Sequence, residues 1–92
     1  MNNADLIAKA SLASAQRGVL SMWTIYDHPH DHPDAFVARR FEIGGNGPGP
    51  MPTIDVIIAG ELERLRQSFQ LAGLVVMQRG EEDDSKIVET WM

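Results

Sequence analysis

The sequence contains no cysteine, which excludes a disulfide framework, a thiolate nucleophile and any cysteine-ligated zinc site. No apolar run approaches the ~20 residues of a membrane-spanning helix. Residues 1–20 also lack the charged region and apolar core of a secretory signal. A cytoplasmic protein with no membrane contact is the expectation. Positive charge is scarce too: 8 Lys and Arg stand against 13 Asp and Glu, a formal charge of -5. That balance opposes attraction to phosphate backbones, so nucleic acid is not an expected partner. Arg39 and Arg40 are adjacent cations, but neighbours on a strand point to opposite faces and form no patch.

What is present suits one small folded unit. A chain of 92 residues falls within the usual domain range and can bury a core without covalent staples. The densest information lies between Trp23 and Glu42, which holds all three histidines. Met22 to Asp27 alternates, with Trp23 and Ile25 on one side and Met22, Thr24 and Tyr26 on the other. This is the pattern of a half-buried strand. Phe36 to Ile43 alternates in the same way. Pro29 and Pro33 remove backbone donors between the two runs, so the chain must turn there.

Two of those histidines precede proline, which biases His28 and His32 toward extended geometry. Extended backbone from 28 to 32 would place His28, His30 and His32 on one side, where they could ligate zinc or another divalent transition metal. A polyproline II course would splay them apart. A proline-stiffened turn whose aspartates cap local backbone donors is the plainer reading. The same loop offers a base and an orienting acid for a hydrolase through Asp27, His28, His30, Asp31 and His32. Ser21 and Thr24, however, lie in no nucleophile motif, so no catalytic residue is assigned.

These residues carry a resemblance. WTIYDHP, PDAFVARR, VIIAGELERLR and IVETW, over about residues 22–92, are similar to a family of small bacterial proteins of unknown function. Their pattern runs WTIYDHP, PD-x-FVARR, a strand-helix unit and a closing VETW. The resemblance implies a shared fold and no particular activity. The chain departs from the pattern in the twenty residues before the tryptophan strand and in Gly60, where a hydroxyl cap often opens the helix. His30 is not part of the pattern.

Asn3 to Arg17 reads as a helix with an asparagine cap and Gly18 past its end. Its narrow stripe is Leu6, Ala10, Ala13 and Arg17, with Ile7 beside it, so residues 1–20 form a weakly packing arm, or a helix for a partner. Residues 21–92 form the α+β domain. Gly44 to Pro52 is a Gly/Pro-rich loop, mobile or serving as a ligand lid. Ile54 to Ala59 reads as a third strand. Leu62, Leu65, Phe69 and Ala72 then make the core stripe of the main amphipathic helix, which Gly73 stops. Leu74 to Arg79 and Lys86 to Met92 make two more strands around the acidic turn Gly80 to Ser85. That turn lacks the ligand spacing of a calcium loop and reads as a charged hairpin tip.

The expected fold is α+β: a mostly antiparallel twisted sheet of about five strands, one main helix on one face and a weaker N-terminal helix. The third and fourth strands could be parallel neighbours joined by a crossover. The sheet face away from the helix would carry Trp23 or Tyr26, an arginine of the second strand, and Trp91 or Thr90, the set depending on register. Trp23, Tyr26 and Trp91 are thus the candidate aromatics of an exposed face for a partner or a second copy. The functional expectation is a non-enzymatic interaction or regulatory module, possibly homodimeric. A histidine-loop metal protein and a small-molecule binder with the Gly44 to Pro52 lid are the alternatives.

Overall fold

In the computed structural model, which describes residues 2–45, 47, 49–77 and 86–92, the alternating runs pair into one sheet. The order of elements is α1 (Asn3–Gln16), β1 (Val19–Asp27), β2 (Phe36–Gly44), β3 (Met51–Ala59), α2 (Leu62–Leu71), β4 (Val76–Met77) and β5 (Ile87–Trp91). The five strands lie in the order β3-β2-β1-β5-β4, and every neighbouring pair is antiparallel. The chain is therefore a single α+β domain, as its pattern predicts. The crossover is corrected: β3 and β4 occupy opposite edges of the sheet, so α2 spans the layer rather than joining parallel neighbours.

The main helix forms where its apolar spacing requires. Leu65 and Phe69 are buried, and Leu62 and Ala72 pack against the same cluster. Gly73, at φ 87, ends the helix, and the Leu74 amide closes back on the Phe69 carbonyl at 3.0 Å, a left-handed stop that suits glycine. Phe69 lies between two indoles, with ring centroids 5.7 Å from Trp23 and 5.5 Å from Trp91. The register explains the sandwich, because Trp23 on β1 pairs directly with Trp91 on β5 and both project toward the helix. Their indole N–H groups find no hydrogen-bond partner among the described residues, a cost of about 1–3 kcal/mol each. The aromatic burial outweighs it.

The first helix is capped as expected, since the Asn2 side chain accepts from the Asp5 amide at 2.9 Å. It is rotated relative to the predicted stripe. Ile7 and Ser14 are its buried residues, while Leu6 and Ala10 pack at the margin and Ala13 is exposed. A branched Ile7 removes more apolar surface from water than an alanine can, and Ser14 has polar partners beneath it. The helix thus shares the core of residues 21–92.

Strand boundaries also shift. β1 begins at Val19 and β3 at Met51, ahead of the predicted Met22 and Ile54. Pro52 is tolerated inside β3 because that strand is an edge and has an outer side with no ladder to serve. Between the pairs Arg39↔Val56 and Phe41↔Pro52, Thr53, Ile54 and Asp55 lie opposite Arg40 alone, which makes a wide bulge. β4 is described over Val76–Met77. The rest of that predicted strand, Gln78 and Arg79, and the acidic turn Gly80 to Ser85 lie outside the described residues. Among the described residues no helix is long and apolar enough to cross a membrane.

Candidate functional site

The histidine loop comes first because the sequence points there. It is not extended: His28 takes φ 48, and its amide donates to the Ala35 carbonyl at 3.0 Å, closing the chain on itself directly after β1. Two tight turns follow, with the His32 amide on the Pro29 carbonyl at 3.0 Å and the Ala35 amide on the His32 carbonyl at 3.3 Å. The His28 ring is engaged locally, with Nδ1 against the Asp27 carboxylate and its edge on Phe36, centroids 5.0 Å apart. Asp31 pairs with Arg39. The period-two row that would have aligned His28, His30 and His32 does not form. Among the described residues no three His, Asp or Glu side chains are placed to hold a metal ion.

A second cluster was not anticipated. Arg40 points to the helix side of the sheet, where its Nε donates to Asp55 Oδ2 at 2.7 Å. Its Nη1 donates to Ser14 Oγ at 3.1 Å, Ser21 Oγ at 3.0 Å and Glu42 Oε2 at 3.1 Å. Ser14 Oγ also donates to Glu42 Oε2 at 2.8 Å, and Arg17 pairs with the same carboxylate. The Arg17 hydrogen bond and the Ser14 hydroxyl lower the Glu42 pKa to about 2 against partial desolvation. Every member is satisfied, and the one carboxylate that a serine reaches, Glu42, is held by Arg17 and Arg40. The cluster fastens α1 to β1, β2 and β3, and Ser21, the hydroxyl considered as a nucleophile, is committed to it. An arginine at the parity of Phe36 and Ala38 was the one signal in the sequence, because a cation on a core face needs carboxylates beside it.

The third feature is the sheet face turned away from both helices. Register places Leu20 and Ile43 at one end of it and three further rows of side chains across it. One runs Ile58, Val37, Tyr26, Ile87; the next Val56, Arg39, Thr24, Thr90, Met77; and the last holds Pro52, Phe41 and Met22, with Met92 beside them. No described element packs over these rows. A shallow depression of about 460 Å³ lies on the β1–β5–β4 side, bordered by Met22, Tyr26, Phe41, Met77, Ile87 and Met92, with Pro50 of the Gly/Pro-rich loop at its rim. Among the described residues, Arg39 is the one charged residue that register places on this face, and Asp31 neutralises it. The expected aromatic surface is corrected here. Trp23 and Trp91 are 0% and 3% exposed beneath α2, because their parity is that of the core, and Tyr26 alone of the three belongs to the open face.

The chain matches no protein-family model, no curated protein and no solved structure. What defines it is its architecture: a two-layer α+β protein with one sheet face roofed by helices and the other apolar and uncovered among the described residues.

Proposed function

We propose that this protein is a non-enzymatic interaction module and that the uncovered sheet face is its binding surface. A single observation carries the reading: apolar side chains, three of them methionines, run across three rows of a face that no described element covers. Ile58 and Met77 are half-exposed there and Met22, Tyr26, Phe41 and Ile87 half-buried, while Val37 and Thr24 within the rows are 0% and 4% exposed. An apolar surface of this kind marks an interaction site, and methionine adapts its shape to a partner. The histidine turns and the Arg40 cluster support the same reading, because one disperses its ligands and the other spends its polar groups on fastening a helix.

Methionine oxidation tests it. In dilute purified protein Met22, Met77 and Met92 should oxidise readily. In native extract, or at high protein concentration, they should be protected several-fold relative to the half-exposed Met51 on the other side of β3. Equal oxidation under all these conditions would end the proposal. A second reading has one observation in its favour, since Pro50 borders the depression: a small apolar ligand would sit there beneath the Gly44 to Pro52 loop. Thermal-shift screening with a library of such ligands tests it, and no shift from any of them counts against it.

A further inference from the structure

Resting on the proposed binding surface, we infer that its occupant is a second copy of this chain, docked sheet to sheet about a twofold axis running along β1.

Size is the first argument. Five strands spaced ~4.8 Å apart and up to nine residues long at ~3.3 Å per residue give a face of roughly 500–700 Å². That is the order of the ~800 Å² each partner contributes to a stable interface. The fold is 22 Å thick in its short dimension, as two layers require, and among the described residues the second side of the sheet has no third layer of its own.

Charge is the second. Two copies at formal charge -5 each repel, and self-association needs a face from which that charge is absent. Asp55, Glu42 and Glu89 all pair on the helix side, with Arg40, Arg17 and Arg66. Among the described residues, the rows of the open face carry one charged side chain, Arg39, and Asp31 neutralises it.

Shape is the third, and it selects the axis. β1 is the middle strand of the sheet. On one side of it the β3 edge carries half-exposed Ile58, with Ile54, 97% exposed, on the adjoining bulge. The depression begins at Phe41 on β2, crosses β1 and deepens the other side toward β5 and β4, where Ile87, Thr90 and Met77 line it. Rotation about β1 exchanges these edges, so each ridge faces the other copy's hollow, the reciprocal contact that an isologous interface requires. The middle row then sets Val56 of one copy over Met77 of the other, with Thr24 near the axis. Aligned packing of two sheets ~10 Å apart follows.

The absence of native cysteine makes the test clean. Val56→Cys with Met77→Cys, treated with a short bis-maleimide, should yield a covalent dimer. Val56→Cys alone should not, since its two copies would sit four strand spacings apart. Sedimentation should show the wild type doubling in mass with concentration, and Met77→Lys should weaken that association about a hundredfold, as burying an unpaired charge at an interface does. Met77 is half-exposed, so this variant keeps its fold, checked by circular dichroism. Cross-linking through Val56→Cys alone would overturn the axis. A wild type that stays monomeric at every concentration would overturn the second copy, and if its methionines were still protected in extract the binding surface itself would stand.

Discussion

Arg40 Nε meets Asp55 Oδ2 at 2.7 Å across the bulge that sets Thr53, Ile54 and Asp55 against a single residue of β2. The bulge aims the carboxylate at the helix side, and the Thr53 hydroxyl holds it in shape by donating to the Arg40 carbonyl at 2.9 Å. Removing the guanidinium leaves the part-buried Asp55 carboxylate without its cation and takes one partner each from Glu42, Ser14 and Ser21, which keep Arg17 and one another. Arg40→Met should therefore cost about 3–5 kcal/mol in urea unfolding, and Ser14→Ala, which leaves the other partners in place, about 1 kcal/mol. A cost for Arg40→Met below that of Ser14→Ala would mean that the cluster does not fasten α1.

The same cluster sets an acid dependence. The Glu42 pKa falls from an ordinary value near 4.5 to about 2, chiefly through its hydrogen bonds from Arg17 and Ser14. A carboxylate with a depressed folded-state pKa contributes stability that is complete above its unfolded value and is lost as pH falls toward the folded one. Wild type should therefore lose stability between about pH 4.5 and 2 more steeply than Glu42→Gln, and the two should converge near the acid end. Parallel curves of urea midpoint against pH would contradict this.

Phe69 fills the space between two indoles, and its removal opens a cavity that neither tryptophan can close. Phe69→Ala should destabilise by about 3–5 kcal/mol, and Phe69→Leu by less. Tryptophan fluorescence reports the change directly, since emission from buried Trp23 and Trp91 should move to longer wavelength in the alanine variant. An unshifted spectrum with unchanged stability would place Phe69 outside the core.

The histidine turns predict little metal affinity. Zinc or nickel titrated by calorimetry should give the same weak heats for wild type and for the triple variant His28→Ala, His30→Ala, His32→Ala. A stoichiometric site present only in wild type would restore the metal reading.

Much of the fold was legible because it rests on local pattern. The Leu62, Leu65, Phe69, Ala72 stripe and the alternation of β1 and β2 each encode which side is apolar, and the structure uses them so. Legibility failed where a choice depended on distant partners. Trp23 and Tyr26 sit on opposite faces of one strand, and nothing local says which face receives a helix; α2 does, by packing Phe69 on Trp23. The rotation of α1 follows from Arg40 and Glu42, some thirty residues beyond Ser14. The turn itself was legible in Pro29 and Pro33; the extended course for His28, His30 and His32 was not decided locally, because the bias of a residue before proline yields to the closure from His28 to Ala35.

Sheets with a free margin invite sideways growth, in which one molecule's outer strand zips onto the next and a filament follows. Here β3 presents that margin with Pro52, which has no amide hydrogen to offer, and with a kink at Thr53 to Asp55 that interrupts the straight run of donors and acceptors. The kink that secures Arg40 within the molecule thereby also makes the β3 border a poor template for lateral stacking.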